Sequence, residues 1–290
     1  MILRNFCYMN IILGLTAGLM VGIRNIQKQY SFHPEWCRKQ MHMGSGIIAL
    51  TFPFLFRDSW PVITLCALSA GGLLALKSLP NLKQTLGSVL GGVKRKSSGD
   101  IYFAAAIGFL FFLSGENRLL YCVPVLILTF ADTAAALIGI SYGRWHFKIS
   151  GGRKSLEGSI AFFLVAFFCT HIPLLFFSNF GRAKVLVISF LLSLLLMVVE
   201  ALTARDGLDN FLIPILGFIF LNNMLHSDLI ELAAHAATTT AILAMILFFQ
   251  FRTPFISLKH FNGIMLRYFC WLFRAWGWIL TPLIRFIKTH

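Results

Sequence analysis

The chain has 290 residues, 58% of them hydrophobic and 12% charged, with a formal net charge of +14. Soluble domains run about half apolar and about a quarter charged, so this balance excludes an ordinary water-soluble domain and indicates a membrane protein. The lysines and arginines stand in short segments between apolar runs, where they set topology and meet anionic headgroups, and no nucleic-acid partner is expected.

Apolar runs long enough, or nearly long enough, to cross a bilayer follow one another at 6–23, 42–56, 60–76, 101–113, 119–140, 157–177, 185–202, 211–225 and 232–251. The alternation of an outer-membrane barrel is missing, so helices are expected. The fold class is therefore all-α, a polytopic transmembrane helical bundle of about seven to nine spans. The runs at 42–56, 101–113 and 211–225 are short for a full crossing. The first run is read as a membrane helix, since no small-residue cleavage site stands before Arg24. Residues 1–251 form one membrane-embedded domain and 252–290 a basic, Trp-rich tail. In that tail Arg267, Arg274, Arg285 and Lys288 share a helical face, with Trp271, Trp276 and Trp278 between them. An interfacial helix and a tenth span both suit it. The six cysteines are far apart without a CxxC pair, which points to inert thiols.

Charge orients the bundle. One alternate set of connections carries Arg24, Lys28, Arg38, Lys39, Lys77, Lys83, Lys94, Arg95, Lys96, Arg144, Lys148, Arg153, Lys154 and Arg205. The other carries Arg57, Arg118, Arg182 and Lys184, with Arg4 at the start of the chain. The positive-inside rule puts the first set in the cytoplasm and the N-terminus outside. Glu35, Asp100, Asp132, Glu157, Glu200, Asp206 and Asp209 gather on the same cytoplasmic side. Topology alone needs only the cations, so both signs beside helix ends point to a site.

The fifth run holds Ala131-Asp132-Thr133 and continues to Gly139. A carboxylate two turns inside a span faces the bundle interior and finds a cation, a metal or an interhelical hydrogen bond. Ala131, Ala135 and Gly139 recur every fourth residue and allow a neighbouring helix to approach closely. Gly151-Gly152-Arg153-Lys154-Ser155 then opens the sixth run, with Glu157, Gly158 and Ser159 following. Glycines, two cations, hydroxyls and a helix start make a plausible phosphate cradle, though a basic loop anchored at the headgroups has the same composition. It is not a Walker A loop, because Arg153 stands where that motif needs glycine. Arg38-Lys39-Gln40-Met41-His42, Ser98-Gly99-Asp100 and Glu200 through Asp209-Asn210 reach the same face. Cations and Mg²⁺ to neutralise phosphate oxygens, carboxylates to hold the metal and a base for the acceptor are what phosphoryl transfer needs.

In order, Pro34-Glu35-Trp36-Cys37-Arg38-Lys39 with His42, Ser98-Gly99-Asp100 with Tyr102, Asp132 with Gly139 and Tyr142-Gly143, Lys154-Ser155-Leu156-Glu157-Gly158-Ser159, Glu200, and Gly207 with Asp209-Asn210 and Pro214 resemble the polyprenol kinase family. That family comprises phytol kinases, dolichol kinases and CTP-dependent diacylglycerol kinases, and the phytol kinases are most similar. The resemblance implies a multipass membrane enzyme with CTP as co-substrate, Mg²⁺ as cofactor and a long-chain lipid alcohol as acceptor. Its active site would lie on the cytoplasmic face of a plasma or inner membrane, if the source is bacterial. On the matching residues it implies catalytic roles for Asp132, Lys154 and Glu200, with Asp132, Glu200 and Asp209 on the metal. Lys154, Ser155, Glu157, Gly158, Ser159, Asp209 and Asn210 would bind the nucleotide, and the reading of the basic glycine loop as a phosphate cradle adds Arg144, Gly151, Gly152 and Arg153. Arg38, Lys39, His42 and Asp100 would meet phosphate or acceptor.

Two other readings are weighed. A phosphatidate cytidylyltransferase would also use CTP, but its acidic C-terminal signature is missing here. A transporter would suit intramembrane charge, but no inverted repeat or pair of broken helices is visible.

Overall fold

A computed structural model describes residues 2–30, 34–78, 98–149, 152–203 and 207–252. Eleven helices and one two-stranded ribbon are described: α1 (Ile2–Tyr30), α2 (Pro34–Leu50), α3 (Phe52–Leu55), α4 (Ser59–Ser78), α5 (Gly99–Ser114), α6 (Arg118–Leu126), a π turn (Ile127–Ala131), α7 (Asp132–Tyr142), β1 (His146–Ile149), β2 (Gly152–Ser155), α8 (Leu156–Phe177), α9 (Arg182–Leu202), α10 (Asp209–His226) and α11 (Leu229–Arg252). The stretches Ile2–Tyr30, Arg118–Tyr142, Leu156–Phe177 and Arg182–Leu202 are long and apolar enough to cross a membrane, and Ser59–Ala75, Gly99–Ser114 and Leu229–Ala244 are shorter apolar helices.

The helices are apolar on both faces, as lipid on one side and protein on the other require. On α8, Phe162, Ala166, Thr170 and Leu174 are buried, while Ile160, Leu164, Phe168 and Ile172 are about half exposed. Water would not tolerate that second face; lipid does. Inside, Met9, Phe52, Phe56, Val62, Leu65, Ile107, Leu110, Tyr121 and Val125 pack into a core. The buried Tyr121 hydroxyl donates to the Ala49 carbonyl at 3.0 Å, so it is not left unpaired there.

Two expectations need correction. The run at 42–56 is not one span: α2 begins earlier, at Pro34, and ends at Leu50, before the single turn of α3. Pro53 stands at the start of that turn and cannot continue the helical ladder. The stretch before the sixth span is not an open loop, because β1 and β2 pair antiparallel, His146 opposite Ser155 and Phe147 opposite Lys154. Apart from this ribbon the all-α reading holds.

The chain divides into two compact units, Met1–Leu221 and Asn222–His290. In the second, the described part is the end of α10 and α11. There Thr238, Thr239 and Thr240 each return a hydroxyl to a carbonyl four residues back, as threonines do in membrane helices. Gly151, Arg95, Lys96, Arg205, Asp206 and the 253–290 tail lie outside the described residues.

Candidate active site

Lys39, His42 and Gly46 follow at i, i+3 and i+7 on α2 and so share a face. That face meets the π turn. Adding a Cβ at Gly46 would bring it to 2.0 Å from the Thr129 hydroxyl oxygen, so only glycine lets the helices approach this closely. The π turn ends where the Asp132 amide donates to the Ile127 carbonyl, five residues back. Such turns cluster at functional sites because they re-aim the residue that follows. Asp132 is almost wholly buried, at 2% exposure, and its Oδ2 accepts the Lys39 Nζ at 2.5 Å. His42 Nε2 lies 3.5 Å from the same oxygen and 3.0 Å from the Leu128 carbonyl. A carbonyl can only accept, so Nε2 is the protonated nitrogen. The His42 ring is held edge-on by Phe103, with centroids 5.0 Å apart. At the entrance, Arg38 Nε donates to Glu35 at 2.9 Å. Burial works against the Arg38 charge, but Glu35, with Asp132 and Asp100, holds it above the usual arginine value.

A second pair stands beside the first. Lys154 on β2 donates to Oε1 of Glu200, which is buried in the last turn of α9. Among the described residues, Glu200 Oε2 and the Ser159 hydroxyl are buried without a hydrogen-bond partner. Burial would lower the Lys154 charge state most strongly, yet Glu200, Asp209 and Asp132 outweigh it and raise the ammonium above the ordinary lysine value. Asp209, first in α10, is within electrostatic range of Asp132, Lys154 and Lys39. The turn that delivers it has Gly207 at φ +82°, a conformation that favours glycine. Asn210 Nδ2 donates to the Gly99 carbonyl at 2.9 Å, which ties the start of α10 to the start of α5 beside Asp100.

The predicted residues thus divide. Lys39, His42, Asp132, Lys154, Glu200 and Asp209 form one charged layer from five elements, α2, α7, β2, α9 and α10, with Arg38 and Asp100 near it. The Glu157 carboxylate accepts the amides of Arg144 at 3.0 Å and Trp145 at 3.1 Å, and so clamps the entrance of the ribbon. Ser155 Oγ accepts the Gly158 amide at 3.1 Å as the N-cap of α8. Gly158 packs against α7, where a Cβ would lie 2.8 Å from the Ala135 carbonyl. Arg144 and Arg153 are exposed, and Gly152 belongs to β2. Two contributors escaped the sequence reading, Gly46 and Thr129. The spacing of Gly46 from Lys39 and His42 is visible in the sequence; the π turn that gives it meaning is not.

As for a metal, no group of three His, Cys, Asp or Glu that could hold one is found among the described residues. Mg²⁺ at phosphoryl-transfer sites needs only one or two carboxylates besides the substrate's phosphates. The unpartnered Glu200 Oε2, with Asp209 near it, fits that shared kind of site.

No family model and no solved structure matches the chain. Two curated proteins do. A phytol kinase of Synechocystis sp. is 30% identical over 212 residues, covering 71% of this chain and 88% of that protein. A CTP-dependent diacylglycerol kinase of Saccharomyces cerevisiae is 26% identical over 212 residues, covering 64% of this chain and 71% of that protein. The chain belongs to the polyprenol kinase family and is an integral membrane enzyme that phosphorylates a lipid alcohol.

Proposed function

We propose that this member of the polyprenol kinase family transfers the γ-phosphoryl group of CTP to the hydroxyl of a long-chain isoprenoid alcohol, phytol or one like it, on the cytoplasmic face of its membrane. The observation that carries the reading is the meeting of two lysine–carboxylate pairs, Lys39–Asp132 and Lys154–Glu200, in one buried layer. The phytol kinase likeness supports the acceptor, and the CTP-dependent relative supports the donor. The gathering of both charge signs on one set of connections supports the cytoplasmic side. Residues 1–251 carry the reaction in this reading, and the tail adds membrane binding.

Lys154 neutralises the donor's phosphate oxygens, with Arg144 and Arg153 drawn in from the ribbon. The acceptor oxygen attacks the γ-phosphorus, its bond to phosphorus forms as the bond to the β-phosphate oxygen breaks, and CDP leaves with that electron pair. Asp132 takes the hydroxyl proton, while Lys39 and His42 fix the carboxylate's position. Glu200 and Asp209 would hold Mg²⁺, which would supply charge neutralisation for the donor's phosphate oxygens.

Purified protein given CTP or ATP labelled on the γ-phosphate, Mg²⁺ and phytol, farnesol, dolichol or diacylglycerol tests this. A labelled alcohol phosphate with released CDP is expected, phytol or farnesol being the better acceptor. Released pyrophosphate would favour cytidylyl transfer, and no product from any alcohol overturns the reading.

A further inference from the structure

Between α1 and α2 lies a half-open cavity of about 390 Å³. Its walls include Leu19 and Ile26 of α1 and Trp36, Gln40, Met43 and Gly44 of α2. The volume is within the range of pockets that hold small organic ligands. We infer that this groove binds the hydrocarbon chain of the alcohol and sets the chain length the enzyme prefers. The inference rests on the kinase reading above, and it concerns where the tail goes, which the charged layer does not say.

Three features of the groove argue for that occupant. One wall of it adjoins the charged layer on the same helix: at 100° per residue, Met43 lies about 40° and Trp36 about 60° round α2 from Lys39, with Gln40 at about 100° and Gly44 at about 140° on the far side. A chain lying against that wall ends its head within one helical face of Lys39, which pairs with Asp132. Polarity is graded along it. Trp36 and Gln40 stand at the start of α2, level with Arg38 and Lys39, whereas Leu19, Met43 and Gly44 are deeper and carry no charge. Trp and Gln at the head end suit a hydroxyl at the interface, and the apolar depth suits a tail. The groove also has a defined narrowing. A Cβ at Gly44 would come 2.5 Å from a Leu19 methyl, so α1 and α2 touch there through a glycine. From Trp36 to Gly44 the helix rises about 12 Å, enough to distinguish short from long isoprenoids.

The test compares kcat/KM for geraniol, farnesol and phytol in the wild type, Met43→Phe and Met43→Trp. Both substitutions fill the groove, and the phytol-to-geraniol ratio is expected to fall by about tenfold or more. Equal losses for all three alcohols, or an unchanged ratio, overturn the inference. If neither variant folds, a diazirine-bearing farnesol on the wild-type protein decides. Peptides holding Leu19 and Met43 should be labelled, and excess phytol should suppress the labelling. Labelling spread evenly over lipid-facing helices means annular lipid only and overturns the inference. A wild type inactive on every alcohol defeats the kinase reading instead, and an active enzyme with an unmoved chain-length profile defeats the groove alone.

Discussion

The two lysine–carboxylate pairs differ in how firmly each is held. Lys39–Asp132 is buried on both sides, and His42, itself held by the Leu128 carbonyl of the π turn, stands against the same carboxylate oxygen. Lys154–Glu200 is looser: the lysine side chain is 22% exposed, rides on a four-residue strand, and leaves one oxygen of its partner without a bond among the described residues. An over-determined carboxylate suits the role of orienting an acceptor whose position must not drift. A cation on a small ribbon, beside a carboxylate oxygen with capacity to spare, suits a charged ligand that comes and goes. In the proposed mechanism this difference in rigidity assigns the first pair to the acceptor and the second to the donor.

The largest effect should follow from breaking the rigid pair. Asp132→Asn is expected to lower turnover by about a hundred- to ten-thousandfold, and to leave Lys39 as a buried charge without its counter-ion, a loss of order 3–5 kcal/mol. Pairing it with Lys39→Met should restore the melting temperature in detergent but not the activity. Activity returning with stability would show that Asp132 is only structural.

Lys154→Ala should cost roughly a hundred- to a thousandfold in kcat/KM for the nucleotide, and should also lower the melting temperature, because it leaves the buried Glu200 carboxylate without its cation. Lys154→Arg should rescue poorly, since a planar fork does not replace a compact ammonium against one buried oxygen. The pH dependence has a definite sign. A lysine raised above its ordinary value of 10.5 contributes stability fully below that pH and loses it as pH rises through the higher folded value. Glu200→Gln removes the main cause of the rise, so the alkaline limb of thermal stability should move to lower pH. An unmoved limb would separate Lys154 from Glu200.

Glu157→Gln tests the looser region without touching either pair. The clamp on the Arg144 and Trp145 amides weakens, the ribbon is less well placed, and KM for the nucleotide should rise roughly tenfold. An equal rise for the alcohol would show that the ribbon does not belong to the donor side.

Much of this was legible in the residues. Eight of the nine apolar runs each correspond to one helical stretch, because hydrophobic run length is the direct physical requirement of a bilayer, while the run at 42–56 is divided between α2 and α3. Ala135 and Gly139 promised close helix packing, and Gly158 lies against them. The pairing of lysines with carboxylates was not legible, since nothing in the chain says which of Arg38, Lys39 and Arg153 reaches inward. The ribbon hid because its strands are only four residues long and the Gly151-Gly152 sequence between their cores reads as a loop. The π turn hid for a different reason: it continues an ordinary helical pattern from Arg118 to Tyr142, and its one extra residue leaves no mark in composition.

Gly46 offers the smallest and most local test of the rigid region. Its missing Cβ is what lets α2 lie on the π turn, so Gly46→Ala forces the Thr129 hydroxyl, 2.0 Å away, to move. Overpacking of this kind costs about 1–3 kcal/mol. Activity should fall by roughly threefold to tenfold as Lys39 and His42 are pushed away from Asp132. Adding Thr129→Ala removes the hydroxyl and the methyl, at 2.0 and 2.6 Å, but keeps Cβ at 2.8 Å, so it should restore only part of both losses. That partial rescue distinguishes a clash at the π turn from a general weakening of α2. Strictly additive losses in the double variant would mean that the two residues do not meet, and the close approach on which the buried pair depends would have to be abandoned.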